Sequence, residues 1–205
     1  MRQAVTTICL VLWLAAIAAG MRTLMAYEAT PGVPARSGET AWPQGAAFRP
    51  AAGRPTLVVF AHPRCPCTRA TIAELDSLMA RLRGRLDVVV LFYRPARFPR
   101  VWEHTDLWRS AAAIPGVSVA TDVDGVEARR FGAATSGQAL LYDAAGRVAF
   151  RGGITPVRGE PGENAGSRAI AQVVEGARTG PAVAPVFGCA ILEAPGPGSR
   201  RAASR

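Results

Sequence analysis

"TLVVFAHPRCPCTRATIAELDSLMARL", residues 56–82, carries the feature around which the rest of this chain can be read. Its first five residues are β-branched, aromatic or leucine, the composition of a strand buried on both faces. From Thr68 onward Ile72, Leu75, Met79 and Leu82 recur at steps of three and four, lining one face of a helix that ends at Gly84. Between strand and helix stand Cys65, Pro66 and Cys67. Proline is favoured at the first helical position, where its missing N–H would be unpaired anyway. Pro66 is therefore expected at that position, with Cys65 as the cap and Cys67 second in the helix. Cys65 then meets the unpaired N–H groups and the positive dipole end, which favour a thiolate; Arg64 and Arg69 add charge nearby.

Further along, "DVVVLF" (87–92) reads as a second buried strand and "VWEHTDLWRSAAAI" (101–114) as a helix stopped by Pro115 and Gly116. "VSVATD" (117–122) is a third strand, followed by a short helix in "VEARRFG" (126–132). "QALLYDAAGRVAF" (138–150) gives two strands around the turn residues Ala144 to Gly146. "NAGSRAIAQVVEGA" (164–177) closes with a helix that Asn164 can cap. Strand, helix, strand, helix, strand, short helix, hairpin, helix is an α/β order with a mostly parallel sheet and an antiparallel end.

This order, with cysteines at the first strand-to-helix junction, resembles the thioredoxin-like superfamily over roughly residues 55–178. The stretch "IPGVSVATDVDGVEARRFGAATSGQALLYDAAGRVAFRGG" (114–153) is similar to the membrane-tethered thiol-disulfide oxidoreductase and peroxiredoxin branch. "HPRCPC", "TSG", "GGIT" and the late "VFGC" resemble a smaller group of bacterial proteins called RedB. The resemblance implies a three-layer α/β fold with a mixed sheet, and thiol-disulfide oxidoreductase activity at Cys65-Pro66-Cys67 without a cofactor. It also implies protein thiols, or a membrane or periplasmic reductant, as partners, and a substrate-binding set of Pro66, Thr135, Ser136 and Gly137. Two departures stand out: the family spacing is Cys-x-x-Cys, and its cis-proline position is held here by Thr135 and Ser136.

Which cysteine completes a redox cycle with Cys65 has two answers. Helical residues at i and i+2 point about 200° apart, so a Cys65–Cys67 bond requires Cys65 to stay outside the helix. Such a ring is strained, and strain makes a disulfide more easily reduced. Cys189, in "PVFGCAIL" (185–192), could attack an oxidised Cys65 if the C-terminal arm folds back; otherwise it is a small packed hydrophobe. The local pair is the expected one, because Pro66 bends the chain where the small ring demands it. A thiol peroxidase would use the same residues, with Cys65 passing through a sulfenic acid. Cys65, Cys67 and Cys189 with His62 also suit Cu(I) or zinc, although zinc sites usually show paired Cys-x-x-Cys spacings. His62 reads as a strand-end residue, and His104, on the helix with Trp102 and Trp108, as structural.

From Gln3 to Met21 no residue is charged, and nineteen helical residues span roughly 28 Å, close to a bilayer's hydrocarbon thickness. Residues 1–25 therefore read as a retained signal anchor, or else a cleaved signal peptide, placing the domain on the periplasmic or exterior side of a membrane. Residues 26–54, rich in Pro, Gly and Ala, read as a tether, residues 55–178 as the domain, and 179–205 as an arm with Cys189 and a flexible tail. The net charge of +9 comes from 24 basic residues, all arginine. These form no stripe within the domain, which argues against nucleic acid as a partner. The glycine-rich "FRGGITPVRGEPGENAGS" (150–167) lacks the lysine of a P-loop and reads as a turn onto the last helix.

Overall fold

The computed structural model of the chain describes residues 2–35, 40–82, 84–177 and 180–191. Residues up to Thr30 and those from Pro31 onward form two separate compact units. In the first, α1 (Arg2–Glu28) is a helix long and apolar enough to span a membrane, with none of its residues buried.

The second unit follows the strand and helix order read from the sequence. Its elements are β1 (Thr56–Ala61), α2 (Pro66–Leu82), β2 (Asp87–Arg94), α3 (Asp106–Ala112), β3 (Val117–Val123), α4 (Val126–Arg130), β4 (Gln138–Tyr142), β5 (Val148–Gly152), α5 (Ala165–Val174) and β6 (Ala182–Val183). They form one six-stranded sheet in the order β3-β2-β1-β4-β5-β6. β1 pairs in parallel with β2 and β2 with β3, whereas β4 runs antiparallel to both β1 and β5.

The alternation of side chains along β1 sets the layers. Leu57, Val59 and Ala61 point into a core shared with Ile72, Leu75 and Leu82 of α2, Leu107 of α3 and Ile170 of α5. Val58 and Phe60 point to the other face, against Ala128, Phe131, Leu140 and Tyr142. Every residue of β1 is buried, as its uniformly apolar sequence requires. With two covered faces and this strand order, the fold is thioredoxin-like.

Two local expectations are corrected. Instead of a helix over 101–114, only Asp106–Ala112 is helical, and Thr105 before it has extended backbone. Residues 99–105 form turns that carry Glu103 inward, 1 % exposed, where it ion-pairs with Arg94 at 3.2 Å and accepts a hydrogen bond from Thr121 Oγ1 at 2.7 Å. This tertiary pairing overrides a local helical pattern, and it moves Trp102 and His104 off the helix. The other correction concerns the stretch 26–54. Val148 N donates to Thr40 O and Trp42 N to Gly146 O, both at 2.8 Å, so residues 40–42 join the edge of the β4–β5 hairpin. The Trp42 ring then packs edge-on against Phe48, Phe131 and Tyr142. Two large aromatics spaced without a period leave no sequence signature, yet they cover a core face.

Candidate functional site

Because β4 runs antiparallel to β1, its start lies beside the end of β1, where α2 begins. The Thr135–Gly137 loop accordingly sits at the same end of the sheet as Cys65, with Gly137 N donating to Phe60 O at 2.7 Å. A closed ring of hydrogen bonds ties the three segments together. His62 N donates to Ser136 Oγ, Ser136 Oγ and Thr68 Oγ1 share a bond, and Thr68 Oγ1 donates to His62 O, each at 2.9 Å. Ser136 and Thr68 are fully buried, so each bond is protected from water. No peptide among the described residues is cis. Gly137 has φ +88°, and a Cβ there would stand 2.9 Å from Thr71 Oγ1. Both constraints demand glycine.

The C-terminal arm completes the site. After β6, Gly153 N donates to Pro185 O at 3.1 Å, and a Cβ on Gly152 would meet Ala184 O at 2.4 Å. The glycines of "GGIT" therefore let the arm lie flat on the end of β5 rather than holding a phosphate. The arm then pairs with the loop: Ser136 N donates to Cys189 O at 2.8 Å and Ile191 N to Ala134 O at 2.9 Å, bracketing a Thr135–Ala190 bridge. A Cβ on Gly188 would be only 1.9 Å from Ser136 O, so the residue before Cys189 has to be glycine for this contact.

The result is a cluster of three sulfurs. Cys65 Sγ and Cys189 Sγ are 2.9 Å apart, and the sulfurs of Cys65, Cys67 and Cys189 all lie within 4.8 Å of one another. Cys65 and Cys67 are buried, Cys189 is exposed, and none is in a disulfide. Burial pushes the Cys65 thiol up, but a hydrogen bond from the Cys189 thiol and the backbone N–H groups of Cys189, Cys67 and Thr68 outweigh it, leaving the pKa below the ordinary value. Two of those N–H groups belong to the first turn of α2, where the sequence placed them. Cys67 is pushed up by burial and then by the neighbouring Cys65, and Cys189 is pushed up to about 12 by burial and its hydrogen bond to Cys65. The guanidinium of Arg158 favours the thiolate at both.

His62 is not part of this cluster among the described residues, which corrects the four-residue metal set. Its Nδ1 accepts a bond from Arg64 N at 3.2 Å, its ring stacks on Tyr93 and meets Trp102 edge-on, and burial lowers its pKa, with the charge of Arg64 adding to the effect. With Phe98, Ala190 and Ile191 these rings line a cavity of about 440 Å³.

Thr135, Ser136 and Gly137 do not present an open face. All three are buried, Thr135 Oγ1 donates to Val33 O at 2.8 Å, and the arm occupies the backbone edge. Pro66 is exposed at the start of α2. Sequence reasoning missed Thr68, Arg158 and Gly188. Nothing in one dimension separates Arg158 from the other arginines, whereas the quoted "VFGC" already held Gly188.

No protein-family model matches the chain, and no curated protein matches it. Solved structures do resemble it. A hypothetical protein from Sinorhizobium meliloti is 21% identical with a TM-score of 0.63, over 80% of this chain and 100% of that one. An uncharacterized conserved protein from Geobacillus kaustophilus is 18% identical with a TM-score of 0.58, over 82% of this chain and 93% of that one. A secreted disulfide oxidoreductase of Mycobacterium tuberculosis, homologous to E. coli DsbE, is 18% identical with a TM-score of 0.43, over 67% of this chain and 94% of that one.

Proposed function

We propose that this chain is an extracytoplasmic thiol-disulfide oxidoreductase, anchored to the membrane by α1, in which Cys65 is the nucleophile and Cys189 the resolving thiol. The observation that carries the reading is the 2.9 Å separation of Cys65 Sγ and Cys189 Sγ, held by backbone pairing of the arm with the 134–136 segment.

In the reductive direction the Cys65 thiolate attacks one sulfur of a client protein's disulfide. The S–S bond breaks, a mixed disulfide forms, and the other client sulfur leaves as a thiolate. The Cys189 thiolate then attacks Cys65 Sγ, releasing the second client thiolate and leaving a Cys65–Cys189 disulfide. A dithiol reductant, itself oxidised to a disulfide, restores the two thiols. The order of events has a physical cause. Cys189 is a poor nucleophile while Cys65 is a thiolate, because burial, their hydrogen bond and their mutual repulsion keep its proton on. Bonding Cys65 to a client removes the second and third of these, and Arg158 remains to favour the Cys189 thiolate.

The test is trapping. A Cys189→Ser chain should accumulate mixed disulfides through Cys65 in a periplasmic extract, and Cys65→Ser should accumulate none. Trapping that persists in Cys65→Ser, or that requires Cys67→Ser instead of Cys189→Ser, would sink the assignment.

A further inference from the structure

Exchange between Cys65 and Cys189 leaves Cys67 without a task. It is 7 % exposed, and its sulfur lies within 4.8 Å of the other two. Three sulfurs bound to one ion by bonds of about 2.3 Å in trigonal geometry stand about 4 Å apart. The separations here, 2.9 Å between Cys65 and Cys189 and no more than 4.8 Å for any pair, lie on both sides of that spacing, and Cys189 is the exposed residue of the three.

The donor set selects the ion. Thiolates are soft ligands that suit Cu(I), which is satisfied by three of them. A structural zinc site takes four ligands, and the nearest nitrogen candidate, His62, has Nδ1 engaged by Arg64 N and its ring held against Tyr93 and Trp102. The guanidinium of Arg158, which acts on both Cys67 and Cys189, offsets the negative charge of a copper–trithiolate unit.

We propose that the reduced protein binds one Cu(I) ion through the sulfurs of Cys65, Cys67 and Cys189. Binding forms three Cu–S bonds and releases the remaining thiol protons to solvent; neither copper nor sulfur changes oxidation state. A Cys65–Cys189 disulfide consumes two of the three ligands, so copper and disulfide exclude one another at this site. The inference uses the same cysteines as the exchange reading, but it stands or falls on Cys67, which exchange does not require.

The test titrates the full chain, reduced under anaerobic conditions in detergent, with Cu(I) held by bicinchoninate. The reduced protein should withdraw one equivalent, and X-ray absorption should show three sulfur scatterers and no nitrogen. Cys67→Ser should weaken binding by on the order of 100-fold, the upper end of what loss of an outer-shell partner costs, while still forming the Cys65–Cys189 disulfide. His62→Ala should bind as the wild type does, and the oxidised chain should bind none. Failure of the reduced wild type to withdraw Cu(I), two-sulfur coordination, or Zn(II) displacing Cu(I) would overturn the proposal. Absence of the Cys65–Cys189 disulfide in a chain that binds copper would instead overturn the exchange reading alone.

Discussion

Cys65 and Cys189 are 124 positions apart in the chain, yet their sulfurs are 2.9 Å apart. A disulfide between them needs only a small side-chain movement and closes a long loop without ring strain, unlike a Cys65–Cys67 bond across one residue. Peptide mapping of the oxidised protein, alkylated after unfolding, should therefore find Cys65 joined to Cys189 with Cys67 as a free thiol. That outcome would replace the local pair expected from Pro66. Cross-linking so long a loop should raise stability by about 2–4 kcal/mol, read as the difference in denaturant midpoint with and without reductant. A mapped Cys65–Cys67 bond would return the local pair to first place.

Reactivity should follow the direction of the three thiol shifts. Cys65 is held below its ordinary value of 9.0, so its alkylation rate should reach half-maximum below pH 9.0 and fall away as it protonates at lower pH. Cys189, pushed up to about 12, should remain nearly unreactive across the same range in the reduced protein. Cys189→Ala removes the thiol hydrogen bond and should move the Cys65 midpoint upward. Equal alkylation profiles for Cys65 in the two proteins would show that the Cys189 thiol does not tune it.

Gly188 tests the docking of the arm without touching a sulfur. A methyl at this position would overlap Ser136 O, so Gly188→Ala should push Cys189 away from Cys65 while leaving the sheet intact. Far-UV circular dichroism should be unchanged, and formation of the Cys65–Cys189 disulfide should slow by roughly tenfold or more, about 1.4 kcal/mol in barrier. Unaltered disulfide kinetics would show that backbone pairing of the arm is dispensable.

Ser136→Ala opens the ring of hydrogen bonds at the end of β1. His62 N and Thr68 Oγ1 each lose a buried partner, a loss of about 1–3 kcal/mol in urea denaturation. Ser136→Thr keeps the hydroxyl but adds a methyl at a position with no exposure, so it should recover only part of the loss. A Ser136→Ala protein as stable as the wild type would remove this ring from the account.

Trp42→Ala addresses the stretch that composition assigned to a tether. The ring is only partly buried, but it contacts Phe48, Phe131 and Tyr142, so stability should fall by about 2–3 kcal/mol, somewhat below the cost for a fully buried aromatic. Trimming the chain to residue 54 should cost at least as much. Equal midpoints for the trimmed and full domains would restore the tether.

Local physics was enough for much of this protein. The apolar run of 56–60, the helical period from Ile72 to Leu82 and the preference of proline for the first helical position together located Cys65 at a helix N-terminus, and the structure gives it the N–H bonds that follow. Asn164 likewise caps α5 by accepting from Ser167 N, a short-range bond readable in four residues. What escaped were contacts between segments that carry no periodicity. Thr105 starts α3 late because Glu103 turns inward to Arg94, and Trp42 covers a core face from within a Pro/Gly-rich stretch. The proposed partner of Cys65 belongs to the same group. Sequence spacing favoured Cys67, but the choice of Cys189 depends on backbone pairing between residues 189–191 and 134–136, and on a glycine whose missing side chain admits that pairing. Bonds of that kind exist only once β4, β5 and the arm have been brought to the same end of the sheet, so tertiary structure alone could decide them.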